Sequence, residues 1–267
     1  MSDPTDAAAV IAYWNARAAR GAQAGTDDLL LKRLEIRYLT SFLRPQQFVL
    51  DIGCGTGETL LALAARERTV YGCGWDAAPQ MVAVAARAAH YARLANRIEF
   101  VQRTVEHGCP TWCGDLVYTE RLCINLGTWE RQREAIGRLA GMVCTGGKLV
   151  LVEHSQDALD RLNGLRRRVG LPLIAPPWHN RYLREAEVAA LDGWERLRLE
   201  RVDHFTATYY LLSRVVNAWL AARAGRAPRY DAWINRLALH LPALGHMGQC
   251  VGWVFTKEGS RGRHDRR

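Results

Sequence analysis

The chain lacks both an apolar leader and a long apolar segment. Its first ten residues, MSDPTDAAAV, carry two acidic residues and a proline, so a signal peptide is not expected. The longest stretch without Asp, Glu, Lys or Arg, residues 237–256, is interrupted by Pro242, Gly245 and Gly248. That interruption favours a helix end, a loop and a strand over a membrane span. We therefore expect a cytoplasmic protein with no membrane span.

Closely spaced cysteine pairs are also lacking. The seven cysteines lie at positions 54, 73, 109, 113, 123, 144 and 250, and the nearest pair, Cys109 and Cys113, has three intervening residues. Several lie in apolar, strand-like runs, where a free thiol packs as a small apolar group. The pattern predicts reduced cysteines and argues against zinc, so no metal site is expected.

Acidic residues are outnumbered by basic ones, and the net charge is +9 over 267 residues. The last seven residues, RGRHDRR, supply part of this excess, and residues 258–267 are predicted to form a disordered, arginine-rich tail. A basic surface can attract nucleic acid or anionic substrates. A solvated arginine-rich surface is the favoured interpretation, and the other two stay open.

Strand-like and helix-like segments alternate along the chain without internal repeats or a long linker. This alternation predicts an α/β fold with a mostly parallel sheet and helices on both faces. We divide the chain into an N-terminal helical arm at 1–46 and one domain at 47–257. Two segments at about 154–183 and 205–240 do not fit a minimal alternation, and we expect them to be helical insertions over the carboxyl edge of the sheet.

The stretch VLDIGCGTG at 49–57 places three glycines directly after an apolar strand. Glycine there lets a ligand approach the backbone at a helix N-terminus, which predicts a small-molecule site. In a dinucleotide fingerprint the last glycine would fall on Glu58, and no Gly-Lys-Ser/Thr follows, so NAD, FAD and P-loop nucleotides are disfavoured. Asp76 follows the second strand, where a carboxylate can accept both hydroxyls of a ribose.

Together with GWDAAPQM at 74–81, this stretch resembles the first two motifs of class I S-adenosylmethionine-dependent methyltransferases. The resemblance continues in order through FVQRTVEHG, GDLVYTE and GMVCTGGKLVLVE. It implies a Rossmann-like sheet of seven strands whose last strand is antiparallel, with S-adenosyl-L-methionine as the cofactor. The cofactor-binding residues that it implies are Asp51 at the amino end, Gly53, Cys54, Gly55 and Gly57 at the methionine part, Asp76 at the ribose, Ala77 and Met81, Thr104 or Val105 at the adenine, and Glu120.

The N-terminal AYWNARA resembles the lid helix of several small-molecule methyltransferases. The resemblance suggests that Tyr13 and Trp14 shield the sulfonium, because an aromatic face attracts a cation. Arg17 is placed to reach the carboxylate of the cofactor. For Trp14, simple packing of the helix against the sheet is an equally good interpretation.

Residues at the mouths of the fourth and fifth strands are candidates for catalysis. Methyltransferases that act on nucleic-acid amines tend to carry an N/D-P-P-Y/F motif at the fourth strand, and this chain has YTER instead, which disfavours nucleic acid as substrate. We predict that His154 or His179 acts as general base and that Glu120 and Arg121 position the acceptor. A structural ion pair is an equally good interpretation of Glu120 and Arg121.

The stretches ERLCINLGTWERQREAI and NGLRRRVGLPLIAPPWHNRYL more weakly resemble bacterial methyltransferases that modify sugars and surface polysaccharides. This resemblance suggests O-methylation of a sugar or glycan hydroxyl in polysaccharide biosynthesis. The alternatives are N- or O-methylation of a small aromatic or amine metabolite, a protein that binds the cofactor without turnover, and an RNA-associated enzyme recruited by the tail. A homo-oligomer stays open.

Overall fold

A computed structural model describes residues 6–106 and 112–259 of the chain. Seven strands form a single sheet: β1 Phe48–Ile52, β2 Tyr71–Asp76, β3 Ile98–Gln102, β4 Gly114–Glu120, β5 Val143–His154, β6 Leu197–Asp203 and β7 Cys250–Lys257. Their order across the sheet is β3-β2-β1-β4-β5-β7-β6. The sequence predictions for Cys109 and for residues 260–267 of the tail lie outside the described residues.

Strands β1 to β5 run parallel, and β7 is antiparallel to both of its neighbours. The chain order reverses direction at β1, with β2 on one side and β4 on the other. In open parallel sheets, ligands bind at such a switch point, outside the carboxyl ends of the strands. The predicted seven-stranded, mostly parallel sheet with an antiparallel last strand is confirmed.

The described residues contain ten α-helices. They are α1 Ala7–Arg17, α2 Leu29–Thr40, α3 Glu58–Arg66, α4 Pro79–Tyr91, α5 Trp129–Gly141, α6 Gln156–Arg168, α7 Glu185–Ala189, α8 Ala207–Tyr210, α9 Asn217–Arg223 and α10 Trp233–Ala238. Asp6, Asp28, Thr128 and Ser155 accept backbone N–H groups as N-caps.

Two apolar layers cover the two faces of the sheet. One packs α5 against side chains such as Leu151 and Trp253. The other packs α2, α3 and part of the insertion against side chains such as Tyr118 and Val150. Because both faces of the sheet are covered, the sequences of the central strands are largely apolar and do not alternate between apolar and polar residues.

The N-terminal arm lies against α4. Ala18, Ala24, Ala78 and Met81 form a small buried cluster between the two, and Ile11, Trp14 and Val84 pack against it. The side-chain oxygen of Asn15 accepts the backbone N–H of Gln80 at 3.0 Å. These contacts place α1 across the end of β2, beside the switch point of the sheet.

The two predicted insertion segments contain the expected helices. Residues 154–183 include α6, and residues 205–240 include α8, a π-helical turn at Leu211–Val216, α9 and α10. Strand β2 extends to Asp76, because it pairs with β1 through Trp75 and with β3 through Asp76. No helix among residues 6–106 and 112–259 is long and apolar enough to cross a bilayer.

The expectation of reduced cysteines is wrong for one pair, because Cys113 and Cys144 form a disulfide. The two residues precede and begin neighbouring parallel strands, β4 and β5, so the sheet brings their Cα atoms to 5.0 Å although 31 positions separate them in sequence. The free thiols of Cys54, Cys73, Cys123 and Cys250 are buried.

Candidate functional site

A cavity of about 170 Å³ lies at the carboxyl ends of β1, β2 and β4, beneath α1. It is the point at which the strand order reverses. Twelve of the predicted site residues line it: Trp14, Asp51, Gly53, Cys54, Gly55, Asp76, Ala77, Met81, Thr104, Val105, Glu120 and Arg121. Five others do not: Tyr13, Arg17, Gly57, His154 and His179.

The glycine turn after β1 contributes backbone to the cavity wall. Gly55 has a left-handed φ of 53°, and a Cβ at this position would meet no atom within 4 Å, so its open side faces the cavity. Gly57 serves a different purpose from the predicted ligand contact. It is the N-cap of α3 in left-handed conformation, and a Cβ there would lie 2.5 Å from Phe100.

Asp76 closes the turn from the end of β2. Its carboxylate accepts the backbone N–H groups of Gly55 and Ala78, each at 2.8 Å. Burial raises the pKa of Asp76, and the two N–H donors oppose that rise. The side chain lines the cavity, so the remaining lone pairs of its fixed oxygens are available to hydroxyl donors from a ligand.

Asp51 is a buried carboxyl group at the end of β1. Burial raises its pKa to about 8, and the nearby Glu120 carboxylate adds to the rise. A cationic ligand group would favour the ionised form, because it replaces the lost solvation of the charge. This side of the cavity is therefore suited to an ammonium group.

The opposite end of the cavity has flat apolar walls. Ala77, Met81, Val105 and Leu126 line it, and Met81 and Val105 are buried. Thr104 lies beside them, so the two candidates for the adenine contact both reach the cavity. Apolar walls with a few polar groups are typical of a site for a heterocyclic base.

The aromatic residues of α1 divide between the cavity and its outer wall. Trp14 lines the cavity, and its indole N–H donates to the side-chain oxygen of Asn125 at 3.2 Å. Tyr13 packs outside, with its ring centroid 4.4 Å from that of His179. The guanidinium of Arg17 donates to the carbonyl oxygens of Gln23 and Ala24, which holds the turn after α1.

Neither predicted histidine base reaches the cavity wall. His179 packs against Tyr13 and Trp14, and burial lowers its pKa to about 4. His154 packs edge-to-face on Tyr182, and burial together with Arg121 and Arg214 lowers its pKa to about 3. Both imidazoles are neutral at pH 7 and are weak proton acceptors in these surroundings, so the general-base role stays a prediction.

A polar cluster occupies the cavity wall between the glycine turn and α2. The carboxylate of Glu120 accepts hydrogen bonds from the ammonium of Lys32 at 2.7 Å and from the hydroxyl of Thr59 at 2.6 Å. Although burial opposes ionisation, Lys32 and Arg121 hold the pKa of Glu120 well below its usual range. Glu120 is therefore a fixed carboxylate at neutral pH, and Lys32 keeps a donor beside it.

Arg121 is held by a second buried carboxyl group, Glu35, to which its guanidinium donates. Burial raises the pKa of Glu35 to about 8 against the opposing effect of Arg121, and Glu120 adds to the rise. Arg121 also has a positive φ of 60°, which turns the chain sharply after β4. The ion-pair interpretation of Glu120 and Arg121 therefore applies, and both residues still line the cavity.

Among the cavity residues that sequence reasoning did not predict as site residues, three carry polar groups close to the predicted ones. Lys32 and Asn125 line the wall, and so does Glu58, whose pKa is raised by burial. Glu58 follows the glycine turn directly, so its position was visible in the motif. The sequence gives less indication that Lys32 belongs to the site. It lies three residues before Glu35 in the apolar helix sequence LLLKRLEI, and only the fold shows that this helix borders the cavity.

The residues that line the cavity suit the chemical groups of S-adenosylmethionine. They include a buried acid at the end of β1, the backbone of the glycine turn, a fixed carboxylate at the end of β2 and several apolar side chains. Asp51 would hold the amino group, Gly53 and Gly55 would contact the methionine part, and Asp76 would hold the ribose. The sequence itself decides the class of domain: residues 49–147 match the profile of the family described as "Methyltransferase domain".

The chain contains an S-adenosylmethionine-dependent methyltransferase domain. The matched segment begins in β1 and ends within β5, so it contains the glycine turn, Asp76 and Glu120. The predicted enzyme class and cofactor are confirmed. Comparison with curated protein sequences gives no match.

Solved structures with the same fold include methyltransferases that act on different acceptors. An O-methyltransferase family protein from Burkholderia thailandensis aligns over 89% of this chain with a TM-score of 0.56 and 17% identity, and the chain spans 59% of that protein. Magnesium protoporphyrin IX methyltransferase from Synechocystis PCC 6803, solved with bound SAM, aligns over 97% of this chain and 99% of its own, with a TM-score of 0.59 and 14% identity.

A third structure is geranyl diphosphate C-methyltransferase from Streptomyces coelicolor A3(2), which covers 85% of this chain and 79% of its own length with a TM-score of 0.54 and 12% identity. At these identities the similarity shows the fold alone. The acceptor of this methyltransferase domain must be argued from its own residues.

Proposed function

We propose that this protein transfers a methyl group from S-adenosylmethionine to a hydroxyl oxygen of a small polar acceptor, with sugars and glycans as the leading class. The cofactor supplies an electrophilic methyl group on a sulfonium when it is bound. The observation that carries the proposal is the polar wall made by Lys32, Glu58 and Glu120 beside the glycine turn.

Glu120 and Lys32 provide one acceptor and one donor for the substrate hydroxyls. The carboxylate is fixed by Lys32 and Thr59, and a hydroxyl that donates to it is held at a defined position. Such positioning is the main contribution that a protein makes to this type of displacement. Arg121, held by Glu35, keeps the turn that carries Glu120 in place.

Glu58 is the residue best suited to take the proton of the hydroxyl. Burial raises the pKa of Glu58, which makes its carboxylate a stronger base than an exposed one. Methyl transfer would form a carbon–oxygen bond and break the carbon–sulfur bond of the sulfonium, which would leave a neutral thioether. The Glu58 carboxylate takes up the hydroxyl proton, so the positive charge lost from sulfur is balanced by the negative charge lost from Glu58 until that proton passes to solvent.

A hydroxyl-rich acceptor suits the remaining lining of this wall. Thr26 and Thr56 add hydroxyl groups, and Trp14 adds an aromatic face of the kind that packs on a sugar ring. A large apolar acceptor finds less support here, because the apolar walls lie at the other end of the cavity. These features support the sugar or glycan proposal that also follows from the weaker sequence resemblance.

One observation favours a second candidate, N-methylation of a small amine metabolite. Glu58 and Glu120 both line the acceptor wall, and Lys32 and Arg121 both pair with Glu120, which leaves the Glu58 carboxylate without an ion-pair partner among the described residues. An ammonium substrate would be attracted to them and would have to lose a proton before methylation. Glu58 could accept that proton as well, so the two candidates share most of their residues.

An acceptor panel with methyl-labelled S-adenosylmethionine tests the proposal. Monosaccharides, nucleotide-activated sugars, phenols and primary amines are incubated separately with the enzyme, and labelled products are identified by mass spectrometry and by NMR of the methyl group. We expect a methyl resonance on oxygen in a sugar product. Transfer only to amines would support the second candidate, and transfer only to phenols would exclude the sugar class.

A further inference from the structure

Large apolar side chains are exposed in one part of the second insertion. Of the fourteen exposed large apolar residues in the described chain, six lie between positions 220 and 244: Leu220, Tyr230, Trp233, Leu237, Leu241 and Leu244. Trp233 is 70% exposed and Leu244 is 66% exposed. We call these six residues the insertion patch. Scattered single apolar residues need no explanation, but a local concentration of this kind marks an interaction surface.

The spacing along α10 places part of the insertion patch on one face. Trp233 and Leu237 are four residues apart and both are exposed, whereas Ile234 and Ala238 are buried. Residues four apart lie on the same side of a helix. The exposed face of α10 therefore presents Trp233 and Leu237 beside Arg236, and the opposite face packs the helix onto the protein.

Exposed basic residues are interspersed with the insertion patch along the sequence. Residues 217–244 contain four arginines, Arg223, Arg226, Arg229 and Arg236, and a single acid, Asp231, all of them exposed. Arg229 pairs with Asp231 at 2.7 Å. Arg37 from α2 adds a further guanidinium, which donates to the carbonyl oxygen of Leu239. The surface thus combines projecting Trp, Tyr and Leu side chains with an excess of positive charge.

We propose that the insertion patch docks this methyltransferase on the surface of an anionic phospholipid bilayer. Tryptophan, tyrosine and leucine enter the interfacial region, while arginine guanidiniums pair with lipid phosphates around them.

The charge pattern decides against a second copy of the chain as the occupant. In a two-fold dimer the same patch faces itself, so the arginines of one copy would oppose those of the other. One exposed acid, already paired with Arg229, is too few to balance them. An anionic lipid surface offers both the apolar layer and the complementary charge.

Vesicle flotation with the full-length protein tests the proposal. Vesicles of phosphatidylcholine alone are compared with vesicles of equal parts phosphatidylglycerol and phosphatidylcholine. We expect at least about fivefold more protein to float with the anionic vesicles, with the excess falling as salt is raised. The apolar variant Trp233→Ala/Leu237→Ala/Leu244→Ala and the charge variant Arg226→Gln/Arg229→Gln/Arg236→Gln should each lose most of that binding.

A matched control is available on α4, where Tyr91 is 83% exposed and Arg87 is exposed as well. The variant Arg87→Gln/Tyr91→Ala removes one aromatic and one guanidinium from another surface and should float like the wild type. Equal recovery with both kinds of vesicle, or loss of binding in the control alone, would overturn the proposal. So would light scattering that shows a dimer in the wild type and a monomer in the apolar variant without vesicle binding.

Discussion

Asp51 and Glu35 are buried carboxyl groups whose pKa values are both raised to about 8, yet only Asp51 lines the cavity. A comparison of the two residues therefore distinguishes a pKa shift that is caused by burial alone from one that also influences ligand binding. A cationic amino group that binds beside Asp51 requires the ionised carboxylate, so binding must be accompanied by loss of a proton below pH 8. Glu35 has no such requirement, because it faces Arg121 instead.

We expect the affinity for S-adenosylmethionine to rise by at least about tenfold between pH 6 and pH 8, as Asp51 ionises in the free protein. Calorimetric titration across this range measures the rise. Asp51→Asn should weaken binding at pH 8 by about ten- to a hundredfold, the value of a hydrogen bond between charged groups, and should flatten the pH profile. Glu35→Gln is the matched control and should keep the slope. If the dependence of cofactor affinity on pH persists in Asp51→Asn and vanishes in Glu35→Gln, the proton released on binding comes from Glu35.

The identity of the general base is a second question at this scale. Glu58 lines the cavity and has a raised pKa, whereas His154 and His179 lie outside it with pKa values of about 3 and 4. We expect Glu58→Gln to lower kcat by about 10²- to 10⁴-fold, the usual contribution of a general base. His154→Phe and His179→Phe should lower it less than about tenfold. Steady-state kinetics with the acceptor found in the panel provide the measurement.

Cofactor affinity must be measured in the same variants, because a lost contact and a lost base both reduce turnover. Glu58→Gln should bind the cofactor within a few-fold of the wild type. A hundredfold fall in kcat for either histidine variant, with cofactor affinity unchanged, would assign the general-base role to that histidine. It would also mean that the insertion moves to bring the imidazole to the acceptor.

At the scale of elements, the sequence predicts what short motifs can specify. The order of strands and the glycine turn follow from the motifs at 49–57 and 74–81, and the N-cap at Thr128 follows from local chemistry. The contribution of α2 could not be predicted, because nothing local shows that Lys32 and Glu120, 88 residues apart, meet at 2.7 Å. Contacts between distant elements depend on the packing of the whole sheet.

The same limit explains why the two histidines were predicted as bases. His154 lies at the end of β5 and His179 lies in the first insertion, and side chains at such positions often face a site. The structure uses them to pack the arm and the insertion, through Tyr13 and Tyr182. A position at a strand end predicts proximity to the site, but the direction of the side chain depends on neighbours that belong to other elements.

At the scale of the whole molecule, the disulfide joins two strands in the middle of the sheet. Cys113 and Cys144 were expected to be free, because their separation matches no local pairing pattern. Only the adjacency of β4 and β5 brings them together. A bond that closes a loop of 31 residues restricts the unfolded chain, so it should contribute to global stability rather than to the chemistry of the cavity.

We expect the double variant Cys113→Ala/Cys144→Ala to lower the free energy of unfolding by about 2–4 kcal/mol, as measured by urea denaturation. A reducing agent should lower the stability of the wild type by a similar amount and leave the double variant unchanged, which separates the bond from the substitutions. Cofactor affinity should be the same in both proteins, since neither cysteine lines the cavity. If the unreduced wild type releases no additional thiols on reduction, or if reductant destabilises both proteins equally, then the bond does not stabilise the fold in solution.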